Sequence, residues 1–271
     1  MKSHVARGVR ILVCVKQVLD SAETVSIDET ATDETATWIR FEPGTVFRMN
    51  RFDEFAVQEA LRIRESIPGS VIDALSLGPD RVKKTILKAL EMGADNGVHI
   101  PVETKKYILP YMRASMIAEY AQNRHYDLIL TGIMAEDDME CQVGQLLAGI
   151  LGLPYATSVI YQDIEANKGT IYVEKEIEEG RRECMDIDLP ALITVQSGIN
   201  TPGYPSLSNV LRARGQQIEV MEPSRCADRM DREVITGVSY PSAGVSGTFI
   251  DGSPQEKANA LLDILHKNAV L

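Results

Sequence analysis

Residues 9–15 read VRILVCV, and this short apolar run near the start of the chain decides the fold. An unbroken run of aliphatic and β-branched residues is typical of a strand that is buried on both faces, as in a parallel sheet. The polar residues 20–37 that follow predict a long loop or an edge hairpin. Apolar residues then recur at helical spacing after residues 50–53, so a helix is expected there with Asp53 as its N-cap residue.

The same alternation of strand and helix continues along the chain. Strands are predicted at residues 71–77, 97–100 and 126–132, and helices at residues 82–92, 107–123 and 142–151. Alternation at these intervals predicts an α/β fold with an open, mostly parallel Rossmann-like sheet and helices on both faces. The crossovers between the parallel strands should be right-handed.

The pattern changes after residue 161. Residues 169–188 alternate with period two around Gly180, which predicts a β-hairpin. A buried strand, a loop rich in Gly and Pro, and a short helix are expected next, at residues 189–195, 196–208 and 209–215. The last helix is predicted at residues 254–267, after a long segment of low periodicity.

We therefore divide the chain into two parts. Residues 9–220 form an α/β domain that includes the hairpin and the loop of residues 161–208. Residues 221–271 form an extended arm that ends in the last helix. A single helix on an arm cannot bury its own apolar face, so we expect the arm to pack on another surface.

Composition excludes several classes of function. Acidic residues outnumber basic ones by 39 to 28, which gives a net charge of −11 and leaves no basic surface for nucleic acid. No apolar run approaches the roughly 20 residues that span a bilayer, so a membrane-spanning protein is not expected. The four cysteines are widely spaced and form no CxxC pair. We therefore expect no metal site, no disulfide framework and a reducing, cytoplasmic location.

Common catalytic motifs are missing, since the sequence contains no GxxxxGK(S/T), GxGxxG or GxSxG run. We assign no catalytic residue. The remaining hypothesis is a nucleotide site at the carboxyl ends of the strands, where helix N-termini attract phosphate. Four loops would meet there: after Cys14, at residues 50–53, after Leu77 and at residues 132–145. The last loop contains an acidic run that alone would repel phosphate. Its residues therefore fit a solvated loop followed by a helix cap as well as they fit a nucleotide-binding loop.

Several runs resemble, in fixed order, the β-subunits of electron-transferring flavoproteins. They are VCVKQV at 13–18, MNRFDEFA at 49–56, SLGP at 76–79, ALEMGAD at 89–95, QVGQ at 142–145, VEKEIEEG at 173–180, LPALIT at 189–194 and NTPGYPSLSN at 200–209. The resemblance covers about residues 9–220 without large gaps.

This resemblance implies an electron-carrier subunit rather than a stand-alone enzyme. An α-subunit would hold most of a redox-active FAD, with some contacts from this chain, and the arm would pack on that subunit. The heterodimer would accept electrons from an acyl-CoA dehydrogenase-type flavoenzyme and pass them towards a quinone oxidoreductase. In many family members the β-subunit also buries an AMP without a redox role. In electron-bifurcating relatives a second FAD takes that place.

The resemblance also implies a set of nucleotide-binding residues. They are Cys14, Asn50, Arg51, Phe52, Asp53, Leu77, Gly132, Ile133, Met134, Ala135, Asp138, Met139, Glu140, Cys141, Gln142 and Val143. AMP-binding members usually have an Asn-Gln-Thr-Gly run where this chain has residues 141–144, CQVG, so two groups that hydrogen-bond phosphate are replaced. Bifurcating members tend to have small residues at Asp138 and Glu140, and Met139 stands where both branches commonly have an acidic residue. The bulk and charge of residues 138–140 favour AMP over a second FAD. Ser21, where AMP-type members often have an aromatic residue, departs from the AMP pattern.

The loop at residues 196–204 corresponds to the segment with which the family docks on acyl-CoA dehydrogenases. The resemblance implies Ile199 as its exposed apolar anchor, and the alternative is an ordinary, partly buried loop residue. A second hypothesis for the whole chain is a stand-alone adenine-nucleotide-binding α/β domain. The arm and the Ile199 loop favour the electron carrier, because a self-sufficient enzyme needs neither.

Overall fold

The computed structural model describes residues 8–27, 39–102, 107–223, 237–240 and 247–268. The chain divides into two compact units, Met1–Thr236 and Gly237–Leu271. The boundary proposed after residue 220 stays a prediction, because residues 224–236 lie outside the described part. Most of residues 20–37, predicted as a loop or hairpin, also lie outside it; residues 26–27 and 39–40, on either side, pair as a short antiparallel ladder.

Strands and helices alternate through the first unit much as the sequence predicts. The strands are β1 (Arg10–Cys14), β2 (Gln17–Leu19), β3 (Ser26–Ile27), β4 (Ile39–Arg40), β5 (Phe47–Met49), β6 (Val71–Gly78), β7 (Asn96–Pro101), β8 (Leu128–Gly132), β9 (Tyr155–Glu165), β10 (Thr170–Glu176), β11 (Arg182–Asp188), β12 (Ala191–Val195) and β13 (Ile218–Val220). The helices are α1 (Arg51–Ser66), α2 (Lys83–Met92), α3 (Pro110–Ala121), α4 (Val143–Leu151), α5 (Leu207–Arg214) and, in the second unit, α6 (Pro254–Lys267).

Nine of these strands form one sheet, in the order β11-β10-β9-β12-β8-β1-β6-β7-β13. Neighbouring strands from β9 to β13 pair in parallel, whereas β10 is antiparallel to both β9 and β11. The predicted open, mostly parallel α/β sheet is therefore confirmed, as is the hairpin around Gly180. The short edge strand β13 was not predicted.

Successive residues of β1 belong to two hydrophobic cores, one on each face of the sheet. Ile11 and Val13 lie with α1 and α2 on one face of the sheet, and Leu12 lies with α3 and α4 on the other. All three side chains are fully buried. Each contributes roughly 1.5–3 kcal/mol by leaving water, so β1 is stabilised from both sides. The prediction of helices on both faces is confirmed.

The order of the strands reverses next to β1. From β1 the chain builds β6 and β7 on one side, and it then returns to form β8 on the other side. A reversal of this kind opens a crevice at the carboxyl ends of the two flanking strands. The loops that follow β1 and β8 border this crevice, and the start of α1 is bonded to both.

Two predicted helix ends can be compared in detail. The N-cap position of α1 is occupied by Asn50, so the predicted N-cap role of Asp53 is wrong. Asp53 lies instead in the first turn. The predicted C-terminal helix is confirmed within its own unit, where Ser253 and Glu256 form a capping box at the start of α6.

The packing of α4 on the sheet leaves no room for a side chain at Gly144, in the first turn of this helix. A Cβ at this position would lie 2.6 Å from Thr194 Cγ2 and 2.9 Å from Thr131 Oγ1. Gly149 of the same helix has nothing within 4 Å of the equivalent point. We expect Gly144→Ala to lower the free energy of unfolding by about 1–3 kcal/mol through overpacking. Gly149→Ala should raise it by about 0.5–1 kcal/mol, because alanine is the better helix former.

Urea denaturation of both variants tests this difference. Equal shifts for the two glycines would contradict the close approach of α4 to β8 and β12.

Candidate functional site

Asp53 joins the ends of the two strands that border the crevice. Its Oδ2 accepts a hydrogen bond of 2.7 Å from the backbone N–H of Lys16, just after β1. Its Oδ1 accepts one of 3.0 Å from the backbone N–H of Gly132, the last residue of β8. The residue is buried. Asp53 therefore fixes the start of α1 against both strand ends at once.

Burial also shapes the titration of the groups around this contact. Desolvation raises the pKa of Asp53 to about 7, against the hydrogen bonds from the two backbone N–H groups and from Asn50, which favour the carboxylate. Burial and, second, the charge of Asp53 raise the pKa of the neighbouring Cys14 thiol. Cys14 thus stays protonated and acts as a small apolar side chain at the end of β1.

Asn50 ties the loop after β8 to the start of α1. Its Nδ2 donates to the carbonyl oxygen of Met134 at 2.8 Å, and its Oδ1 accepts from the N–H of Glu136 at 3.1 Å. The Glu136 carboxylate in turn accepts from the N–H of Arg51 at 3.3 Å and pairs with Arg48 at 3.0 Å. An anion position at the N-terminus of α1 is therefore filled by a carboxylate of the chain itself.

The acidic run of this loop is paired with cations rather than exposed as a block of like charge. Lys16 Nζ contacts Asp137 Oδ1 at 2.5 Å and Asp138 Oδ2 at 2.8 Å. Arg113 Nη1 and the Tyr107 hydroxyl donate to the same Asp138 oxygen at 2.7 and 2.8 Å. Burial acts to raise the pKa of Asp138, but the bonds from Lys16 and Arg113 outweigh it and hold this pKa well below its ordinary value. The expected repulsion of phosphate is therefore offset in part.

The loop after β8 and the start of α4 contain polar groups that lack some of their partners. Glu140 Oε2 and Gln145 Oε1 are buried and make no hydrogen bond within the described residues. The first N–H groups of α4, which begins at Val143, lack partners within their own helix. Buried polar groups seek partners, so this lining fits a ligand that offers both hydroxyl or amine donors and an anionic acceptor.

Most of the predicted nucleotide-binding residues lie around the crevice. Contacts join Asn50, Arg51 and Asp53 to the loop after β8, and a side chain on Gly132 would collide with Phe52. Cys14 ends β1, and Leu77 lies near the end of β6. In the same loop, Ile133 donates its N–H to Val195, and Ala135 accepts from Met139. Gln142 is the N-cap residue of α4, immediately before Val143.

Met139 and Cys141 differ from their neighbours in this loop. Both have left-handed backbone conformations, with φ of 52° and 55°. Met139 is also largely exposed, since 65% of the residue is accessible to solvent. Lys16, Tyr107 and Arg113 are absent from the predicted set. Only Lys16 had a signal in the sequence, namely its position directly after a buried strand.

Ile199 does not occupy the exposed position expected for a docking anchor. Only 8% of the residue is exposed, and it belongs to the core that includes α1. Arg62 donates to the Ile199 carbonyl at 3.1 Å, and Asn200 donates to the Phe55 carbonyl and to Glu59 at 3.0 and 2.8 Å. These bonds tie the loop to α1, so the predicted exposure of Ile199 is wrong.

The exposed apolar side chains of this region lie further along the chain. Tyr204 is fully exposed, and Leu207 and Leu211 of α5 are 75% and 60% exposed. Leu207 and Leu211 are one helical turn apart and share a face. The three residues form what we call the Tyr204 patch.

Two negative findings apply to the described residues. No group of His, Cys, Asp and Glu side chains among them is arranged to hold a metal ion. Every helix in this part of the chain is too short or too polar to cross a bilayer.

Comparison with known proteins places these features in a family context. Residues 38–225 match the family model described as "Electron transfer flavoprotein domain". The human protein named electron transfer flavoprotein subunit beta is 35% identical over 246 residues, which cover 89% of this chain and 92% of the relative. The Dictyostelium discoideum protein of the same name is 35% identical over 97% of this chain and 100% of its own length. A relative from Arabidopsis thaliana, named as a mitochondrial subunit beta, is also 35% identical.

The contact between Asp53 and the two strand ends can be tested by removing one acceptor. In Asp53→Asn an amide NH₂ replaces one carboxylate oxygen, so either Lys16 or Gly132 loses its acceptor. We expect the free energy of unfolding to fall by about 1–3 kcal/mol, the cost of one unsatisfied buried group. Glu65→Gln, at an exposed position of the same helix, is the matched control and should change it by less than about 0.5 kcal/mol. A loss of equal size in both variants would contradict the assigned role of Asp53.

Proposed function

Because the chain belongs to the electron transfer flavoprotein family as a β-subunit, we propose that it binds FAD jointly with an α-subunit and carries electrons as a heterodimer. The observation that carries this proposal is the match to subunit beta relatives over nearly the whole chain. The FAD, held mainly by the α-subunit, supplies the redox chemistry. Electrons arrive from an acyl-CoA dehydrogenase-type flavoenzyme and leave towards a quinone oxidoreductase.

We further propose that the crevice between β1 and β8 binds AMP. The N–H groups at the start of α4, which have no partner within their own helix, suit a phosphate, and the buried oxygens of Glu140 and Gln145 suit the hydroxyl or amine donors of a nucleoside. Asp138, whose side chain is 13% exposed, occupies space in the loop with a charged group. This charge and bulk favour AMP over the second FAD of electron-bifurcating relatives, which is the alternative.

The alternative of a stand-alone nucleotide-binding domain is less well supported. The apolar residues Leu261, Leu262 and Ile264 of α6 are each nearly half exposed. An apolar helix face of this kind favours a partner surface, and we assign it to the α-subunit. The cytoplasmic location stays a prediction, and plant relatives are named mitochondrial.

We propose the Tyr204 patch, rather than Ile199, as the contact with the acyl-CoA dehydrogenase-type partner. It exposes one aromatic and two aliphatic side chains within eight residues of the chain, and such side chains are typical interface anchors. Ile199 is buried, and its loop is bonded to α1.

The cofactor proposal predicts the composition of the purified complex. The chain co-expressed with its α-subunit should carry one flavin and one AMP per heterodimer, whereas the chain alone should be colourless. Acid release followed by chromatography and mass spectrometry measures both nucleotides. Two FAD and no AMP would support the bifurcating alternative, and a stable monomer with stoichiometric FAD would contradict the heterodimer.

The docking proposal predicts opposite effects for two substitutions in neighbouring segments. Tyr204→Ala should weaken binding to the partner dehydrogenase by about 1–3 kcal/mol and leave thermal stability unchanged, because the side chain is fully exposed. Ile199→Ala should instead lower the free energy of unfolding by about 2–5 kcal/mol, because it removes a buried aliphatic side chain.

Partner-dependent turnover over a full concentration series, with reduction of an artificial dye as the control, measures docking in both variants. Wild-type turnover in Tyr204→Ala would exclude the Tyr204 patch. Normal stability with lost turnover in Ile199→Ala would restore Ile199 as the anchor.

A further inference from the structure

We propose that Lys16, Tyr107 and Arg113 form an anion site that the chain fills with its own Asp138 carboxylate, and that the phosphate of the nucleotide competes with Asp138 for these donors. This inference rests on the proposed AMP site and deepens it. It assigns to Asp138 the role of an internal competitor that sets the affinity for phosphate.

The geometry at Asp138 is that of a bound anion. Three donors from separate segments converge on one oxygen, Oδ2: Lys16 Nζ at 2.8 Å, Arg113 Nη1 at 2.7 Å and the Tyr107 hydroxyl at 2.8 Å. The Arg113 guanidinium also lies over the Tyr107 ring, 4.7 Å from its centroid. Two cations and a hydroxyl are the donor types that proteins use for phosphate oxygens.

The side chains of this anion site are mostly buried, so water weakens their charge-assisted hydrogen bonds less than it would at the surface. The side chains of Arg113 and Asp138 are 14% and 13% exposed, and that of Lys16 is 25% exposed. Hydrogen bonds between ionised groups in such surroundings are about twice as strong as neutral ones. A phosphate that enters the crevice can use these donors only if Asp138 releases them.

The local charge gives a reason for the competition. Lys16 and Arg113 are balanced by Asp137 and Asp138, and the buried Oε2 of Glu140 has no partner among the described residues. A phosphate dianion therefore meets no net positive charge while Asp138 remains in place. Without the Asp138 charge, Lys16 and Arg113 would face one carboxylate fewer, and a neutral side chain would hold the three donors less strongly.

The backbone after Asp138 is locally strained. Met139 and Cys141 both have positive φ, a conformation that costs non-glycine residues on the order of 1 kcal/mol. Glu136, like Asp138, fills an anion position with its own carboxylate, which accepts a hydrogen bond from the N–H of Arg51 at the start of α1. Two carboxylates of one loop thus occupy two positions suited to a bound anion.

The test compares nucleotide with nucleoside. The full-length chain is purified with its α-subunit and stripped of nucleotide, and AMP and adenosine are titrated by calorimetry. Asp138→Asn keeps the shape of the side chain and removes its charge. We expect it to bind AMP about 10 to 100 times more tightly than the wild type, the range for charge-assisted bonds regained by phosphate. Its affinity for adenosine should not change, because adenosine has no phosphate.

Two further variants make the test specific. Asp137→Asn, which removes one of the two carboxylates bonded to Lys16, should bind AMP more tightly by a smaller factor, and it keeps the test valid if Asp138→Asn folds poorly. Arg113→Gln added to Asp138→Asn should cancel most of the gain.

The outcomes separate this inference from the proposed function. If the wild type binds AMP and both single variants bind it equally or more weakly, Asp138 and Asp137 only hold the loop and the inference is wrong. An equal gain for adenosine would overturn it too. If neither the wild type nor any variant binds AMP, the AMP site itself is wrong and the inference falls with it.

Discussion

The carboxylate of Asp53 is the contact on which the site depends. The ladder between β1 and β8 ends at Val13 and Leu130, so the residues after these two positions need another contact to join the strand ends at the crevice. Asp53 bridges them through the N–H groups of Lys16 and Gly132 and anchors α1 at the same time. The position of Lys16 beside the acidic loop follows from this bond, and Asn50 ties the same loop to the start of α1 through Met134 and Glu136.

A second constraint is electrostatic. The chain is acidic overall, and its crevice contains more carboxylates than an anion site needs. Three of them are paired: Glu136 with Arg48 and the start of α1, and Asp137 and Asp138 with Lys16 and Arg113. The buried Oε2 of Glu140 has no partner among the described residues. In the proposed site, the affinity for phosphate depends on the difference between two sets of bonds: those that the donors make to Asp138 and those that they would make to phosphate. Because both sets are charge-assisted and similar in strength, binding can be reversible in a site of low net charge.

Much of the fold could be predicted because its signals are local. The apolar run that forms β1, the alternation that follows it and the capping residues of α6 each depend on a few neighbouring residues. The strand β13 has only three residues and no pattern to detect. The roles of Asp53 and Asp138 depend on partners 37 and 79 residues away for Asp53, and 122 and 25 residues away for Asp138. The burial of Ile199 was mispredicted because Gly and Pro indicate a loop but not which side chain of that loop packs inward.

Amide hydrogen exchange of the heterodimer, with and without AMP, tests most directly whether the nucleotide lies in the crevice that Asp53 spans. The account predicts slow exchange at the N–H groups of Lys16 and Gly132 in both states, since Asp53 accepts from both. Addition of AMP should slow exchange further in the loop after β8 and in the first turn of α4. Rapid exchange at Lys16 and Gly132, or protection by AMP confined to β9, β10 and β11, would contradict it.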